Sequence, residues 1–211
     1  MKITSIDIFL LKHVGEDFSP FPFRPVVCRI NTDEGISGFG EAGISVGPGE
    51  HGVAHLLYDI GQQIIGLNPM DNEVIWEQFR NQFCGHLSGG GVIVYSAMSA
   101  IDTALLDIKG KKLGVPIYVL LGGKFRSKLK CYLSQCHLGY LDDFRIKYTE
   151  EDLANICRRI QKDGYSAVKL NLLAFDANGK PLDRSLTTGP LTRPIIELLE
   201  ARLAAIRKAC G

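Results

Sequence analysis

The chain has almost no charge imbalance. Its 211 residues carry 24 Lys and Arg against 23 Asp and Glu, for a formal net charge of +1. A surface dedicated to nucleic acid needs a basic excess to neutralise phosphates, so that class of partner is excluded. Long apolar runs are missing too. No unbroken stretch approaches the roughly 18 residues that cross a bilayer, and Met1-Lys2-Ile3-Thr4-Ser5-Ile6-Asp7 alternates instead of forming a signal-peptide core. These absences predict a soluble, cytoplasmic chain with no membrane partner. The apolar share of 45% and charged share of 22% are those of an ordinary globular protein and exclude intrinsic disorder.

Cysteine is sparse. Six scattered residues (Cys28, Cys84, Cys131, Cys136, Cys157, Cys210) are too few for a disulfide framework at this length. Cys131, Cys136 and His137 together hint at a metal. However, no second pair stands at zinc-ligand spacing, and a strand through residues 129–136 places Cys131 and Cys136 on opposite faces. Reduced, mostly buried thiols are the expectation. No Walker pattern exists. His51 and His55 share a helical face, but Gly52 stands where a zinc protease needs Glu, so solvated helix residues are the better reading.

The elements follow from periodicity. Residues 2–12 alternate, with Ile6, Ile8 and Leu10 on one face, and predict a strand. Val26, Cys28 and Ile30 alternate again, Asn31-Thr32-Asp33-Glu34-Gly35 makes a turn, and residues 36–42 return as a strand, giving a three-stranded antiparallel meander. Gly38-Phe39-Gly40-Glu41-Ala42-Gly43 matches G-x-G-x-x-G, yet it lies inside a hairpin strand with no helix opening after it. Close packing or a bulge explains these glycines better than a dinucleotide. Helices are predicted over 50–65, from Asp71 through Phe83, and along a long segment marked by Val94, Met98, Ile101, Leu105 and Ile108. Gly114 followed by Pro116 stops that helix. Asp102 and Asp107 read as surface or interface charges.

Strands first and helices afterwards predict an α+β unit. From Lys128 the grammar changes to strand (129–136), helix opened by Thr149 with Asp152 as a capping box, strand (166–172) and helix (194–208), which is the start of a parallel α/β sheet. Two strands leave an open apolar edge. Lys169 and Asn171 are two apart on the second of these strands and share one face. In a sheet covered by helices an inward ammonium must be paired or functional. It acts as a base when its pKa falls, or as an anion-stabilising charge. The structural alternative is that Val168, Leu170 and Leu172 pack against helices while Lys169 pairs with a carboxylate.

Residues 96–118, SAMSAIDTALLDIKGKKLGVPIY, continuing through Val119-Leu120-Leu121-Gly122-Gly123, closely resemble a signature of the mandelate racemase/muconate lactonizing enzyme group of the enolase superfamily. The hairpin Glu34-Gly35-Ile36-Ser37-Gly38-Phe39-Gly40-Glu41 and the segment Ala167-Val168-Lys169-Leu170-Asn171, at that group's Lys-x-Lys position, extend the resemblance over essentially the whole chain. It implies an α+β capping domain over residues 1–125, then the first two βα units of a modified TIM barrel over 126–211. It also implies Mg²⁺-assisted removal of a proton α to a carboxylate. Lys169 is then the acid/base or electrostatic residue. Residues 18–24 become a cap segment over the substrate, with Phe21 and Arg24 in substrate contact, and residues 45–51 a second cap loop.

Asn171 replaces the second lysine and cannot take a proton. This moves the implied reaction from racemisation towards dehydration of a sugar acid, with Asn171 holding substrate hydroxyls. The family's metal ligands come from the third, fourth and fifth barrel strands. The resemblance therefore implies a chain truncated after the second βα unit, with no metal ligands of its own and inactive alone, and a homo-oligomer for the complete enzyme. A racemase or cycloisomerase of the same group and a non-catalytic binding or assembly module are the alternatives.

Overall fold

Three strands, β1 (Ile3–Leu10), β2 (Val26–Thr32) and β3 (Ser37–Ala42), form an antiparallel sheet in that order. Its register sets two faces. Ile6, Ile30 and Gly38 form one row on the inner face and Ile8, Cys28 and Gly40 the next. The outer face carries Asp7 and Arg29, an ion pair at 2.8 Å. The β2–β3 turn closes at Gly35, whose positive φ of 75° suits glycine. The computed structural model describes residues 1–11, 24–43, 49–84 and 90–211, and divides into two units, Met1–Ser127 and Lys128–Gly211.

In the first unit, helices cover the inner face. They are α1 (Glu50–Gln62), α2 (Asn72–Phe79, continued as a π-helical turn over Arg80–Cys84), α3 (Gly91–Leu113) and the short α4 (Ile117–Leu120). α1 buries Val53, Leu57 and Ile60, and α3 buries Met98, Ile101, Leu105 and Ile108. The expected stop of α3 is present: Gly114 takes the left-handed conformation and its N–H returns to the helix. By length and composition alone α3 could cross a bilayer, although Asp102 and Asp107 break its apolar run. Its packed face makes it the core helix of this unit.

Gly38 and Gly40 explain the G-x-G pattern. A Cβ on Gly38 would collide with the Ala104 carbonyl, and one on Gly40 with the Ala100 carbonyl. The glycines let the α3 backbone lie directly on β3, as close backbone approach requires. Asp107 reaches across to the edge of β3, where its Oδ2 accepts from the Phe39 N–H at 3.0 Å and from Lys111 at 2.7 Å.

The second unit holds a two-stranded parallel ladder, β4 (Leu133–Ser134) with β5 (Val168–Lys169), connected through α5 (Glu150–Lys162) and followed by α6 (Arg193–Cys210). The β-α-β-α order is the expected barrel start. Thr149 caps α5 as predicted, its Oγ1 accepting from the Asp152 N–H at 3.1 Å. The strands are far shorter than residues 129–136 and 166–172, since among the described residues each has a single ladder partner. The short β4 also corrects the reading of its cysteines. Cys131 is exposed ahead of the strand and Cys136 is buried in a single 3-10 turn, Cys136–Leu138, beyond it, so they are not opposite faces of one strand. Among the described cysteines, Cys28, Cys136 and Cys157 are buried, Cys210 is half-buried and Cys131 is exposed.

Candidate functional site

Parallel strands bring the segments after their carboxyl ends together, and sites in such sheets are built there. Here Ser134 ends β4 and Lys169 ends β5, and the two are register partners. The Gln135 N–H donates to the Lys169 carbonyl at 2.8 Å, which ties the two strand ends. Alternation then separates the faces. Leu133, Val168 and Leu170 pack against the cluster of Cys136, Ile156, Cys157 and Ile160, while Ser134, Lys169 and, beyond the strand, Asn171 are exposed. Among the described residues no carboxylate pairs with Lys169. Asn171 has one end committed, since its Oδ1 accepts from the Leu173 N–H at 3.2 Å and shapes the turn that leaves β5.

That turn is held from behind by a residue the sequence reading passed over. Arg202 of α6 is 2% exposed. Its Nη1 donates to the carbonyls of Leu172 at 2.6 Å and Phe175 at 2.7 Å, and its Nη2 donates to that of Asp176 at 2.9 Å. Among the described residues no carboxylate takes these N–H groups. Three backbone oxygens hold the buried cation, and burial lowers its pKa while Glu150 and Asp176 oppose the shift. The signal was legible in principle: Ile195, Leu199, Arg202 and Ile206 fall on one stripe of α6, and an arginine there must find partners.

Two further buried groups follow β4. The His137 ring stands edge-on to Phe175 with centroids 6.4 Å apart. The ring is 2% exposed and its Nδ1 has no hydrogen-bond partner. Burial lowers the His137 pKa and keeps the imidazole neutral. Lys147, 4% exposed, donates its backbone N–H to the His137 carbonyl at 2.7 Å. Its ammonium meets Asp143 Oδ1 at 3.0 Å and the Arg145 carbonyl. Hydrogen bonds from Arg145 and Lys147 hold the Asp143 carboxyl far below the usual carboxylate range.

The remaining expected site residues lie in the first unit. Arg24 precedes β2, and its Nη1 binds Glu50 Oε1 at 2.8 Å, with Glu50 buried in the first turn of α1. Arg24 does meet a carboxylate, but one of this chain. The second Glu50 oxygen is buried without a partner among the described residues. Phe21 and residues 12–23, like 44–48, lie outside the described residues. His51 and His55 are exposed on α1. Asp102 is partly buried beside Asn72, and desolvation raises its pKa. Among the described residues no three His, Cys, Asp or Glu side chains gather as metal ligands. The described residues therefore do not fit a Mg²⁺ site.

Comparison with known proteins agrees with this architecture. The N-terminal domain of mandelate racemases and muconate lactonizing enzymes matches residues 23–122. A D-galactonate dehydratase of Variovorax paradoxus is 43% identical over 110 residues, which are 52% of this chain and 27% of that protein. A D-galactonate dehydratase of Pectobacterium atrosepticum is 39% identical over 132 residues, 63% of this chain and 31% of that one. A solved member of the enolase superfamily from Salmonella Typhimurium is 43% identical with a TM-score of 0.89, and the match covers 100% of this chain and 52% of that one. The chain thus spans about half the length of its solved relative, and the matched segments are under a third of the curated ones. Residues 23–122 of this chain thus match the N-terminal domain of mandelate racemases and muconate lactonizing enzymes, and the α+β unit with the β-α-β-α unit that follows is similar to the solved enolase-superfamily structure.

Proposed function

We propose that this chain supplies the capping domain and the opening of the barrel of a sugar-acid dehydratase. The observation that carries the reading is Lys169-Leu170-Asn171 at the carboxyl end of β5, with Lys169 and Asn171 exposed together and the intervening Leu170 packed inward. Dehydration of a 2,3-dihydroxy acid removes the proton on C2 and the hydroxyl on C3 as water, leaving an enol that becomes the 2-keto-3-deoxy acid. Lys169 supports the first half, either by taking that proton or by holding the charge that develops on the carboxylate. Asn171 has no proton-accepting group for a second face, which favours elimination over racemisation, and its amide suits substrate hydroxyls. Arg24 and Phe21 complete the reading as substrate contacts, and Arg24 then exchanges Glu50 for the substrate carboxylate. The Mg²⁺ used by such enzymes would take its ligands from outside the described residues, and the assembly would be a homo-oligomer. The two curated relatives, both named D-galactonate dehydratase, support an aldonate as substrate.

The test uses the longest open reading frame that contains residues 1–211, supplied with Mg²⁺ and a panel of aldonates, with 2-keto-3-deoxy acid detected as its semicarbazone. Turnover of at least one aldonate is expected. Lys169→Met should lower kcat by about 10³-fold, within the range of proton-transfer catalysis, and Asn171→Ala should act mainly on KM. A panel with no keto product, or a Lys169→Met enzyme of full activity, overturns the reading.

A further inference from the structure

Three thiols converge in the second unit. Cys136 lies just beyond β4, Cys157 is on the inner face of α5, and Cys210 is the last residue of α6. Cys136 and Cys157 are 1% and 3% exposed, and Cys210 packs on the same cluster with part of its side chain in solvent. All three are free. Cys157 belongs to the cluster on which Cys210 packs. Desolvation, then Cys136 and Cys210, push the Cys157 thiol up to about 12. A thiol so buried and so fully protonated is not the first of the cluster to meet an oxidant. Cys210 is the member of the cluster that an oxidant in solution reaches.

We propose that Cys210 and Cys157 are a peroxide-sensitive thiol pair that closes a disulfide between α5 and α6. Hydrogen peroxide oxidises the Cys210 thiol to a sulfenic acid and is itself reduced to water. The Cys157 sulfur then attacks the Cys210 sulfur, the S–O bond breaks, and the leaving hydroxide takes the Cys157 proton as a second water. Two thiols and one peroxide give one disulfide and two waters. The ring so closed, residues 157–210, contains β5 with Lys169 and Asn171 and the Arg202 clamp behind them. Oxidation therefore restrains the segment that carries the candidate site, and thiol reductants release it. The pairing stands on the packing of the second unit alone and does not depend on the proposed reaction.

The experiment takes the reduced 211-residue protein, adds one to ten equivalents of hydrogen peroxide, alkylates the remaining thiols and maps the peptides by mass spectrometry. Expected is a Cys157–Cys210 linked peptide pair, lighter by two hydrogens, that dithiothreitol reverses. Exposed Cys131 serves as the internal comparison for unassisted oxidation. Cys210→Ser should remove the link and Cys136→Ser should leave it, and the wild-type map stands by itself should a variant fail to fold. A higher unfolding midpoint for the oxidised protein should accompany the link. Cys210 ending as sulfinic acid with Cys157 still a thiol overturns the proposal, as does a principal link between Cys136 and Cys157 or between two chains through Cys131.

Discussion

Arg202 shows what one side chain can do for a strand end. Its guanidinium satisfies the carbonyls of Leu172, Phe175 and Asp176, and buried carbonyls left unpaired cost about 1–3 kcal/mol each. Arg202→Met keeps the apolar stem and removes all three donors. It should destabilise the second unit by about 3 kcal/mol in urea unfolding, with amide exchange rising first over residues 172–176. His137 gives a prediction in pH. Burial holds its folded pKa below the unfolded value of about 6.5, so the unfolded chain binds the proton more readily. The resulting stability is fully present above pH about 6.5 and is lost as pH falls towards the folded pKa. His137→Phe should flatten the unfolding midpoint between pH 7 and pH 5, while the parent protein loses stability over that interval. A parent with no slope in that window would show that the imidazole is not buried neutral.

Neither residue was read as a site residue in the sequence, for a physical reason. The stripe of α6 shows that Arg202 must find partners but not which ones, since they are backbone carbonyls of Leu172, Phe175 and Asp176, and Phe175, which meets the His137 ring, is brought to it only by folding. Strand alternation predicts Lys169 and Asn171 on one face; β5 ends at Lys169, and both residues are exposed. Arg24 was half legible. Its affinity for a carboxylate is plain from its chemistry, but the nearby acid that takes it, Glu50, is brought in only by folding.

Elements were easier to read where their signals are local. The Asp-Glu-Gly turn, the Thr149 cap and the Gly114 stop each act within a few residues, and the structure has all three. Strand length was overestimated for β4 and β5, since alternation reports which residues could pair, while a ladder persists only where a neighbour supplies partners. The glycines of β3 offer the sharpest test at this scale. Gly40→Ala adds one methyl against the main chain of α3 at Ala100, where no rotamer change gives relief. The substitution should destabilise the first unit by about 3 kcal/mol, at the upper end of overpacking costs, as read by chemical denaturation. An equally stable Gly40→Ala protein would show that α3 does not lie on β3 as described.

Across the whole chain the two units differ in how much apolar surface they bury. The first has a continuous core from β1–β3, α1, α2 and α3. The second has a small cluster centred on Cys136, Ile156, Cys157 and Ile160, with Leu129, Leu141 and Leu203 well exposed. Below a sufficient core a domain does not hold its chain entropy. Residues 1–127 expressed alone should therefore unfold cooperatively, and residues 128–211 alone should show little fixed tertiary structure by near-ultraviolet circular dichroism. A cooperative 128–211 fragment would overturn that ranking. The family signature lies on α3 of the well-built unit, while the proposed site residues Lys169 and Asn171 lie on the slighter one.

The seat of α3 on Gly38 and Gly40 has a mechanical consequence. Ala100 and Ala104 are one helical turn apart and each presents a carbonyl to a gap left by a missing side chain. The helix is thus indexed, like a toothed rod on a two-slot rack, and sliding it by a fraction of a turn would lift both teeth from their slots at once. A hinge or shear in this unit has to move α3 and β3 as one body.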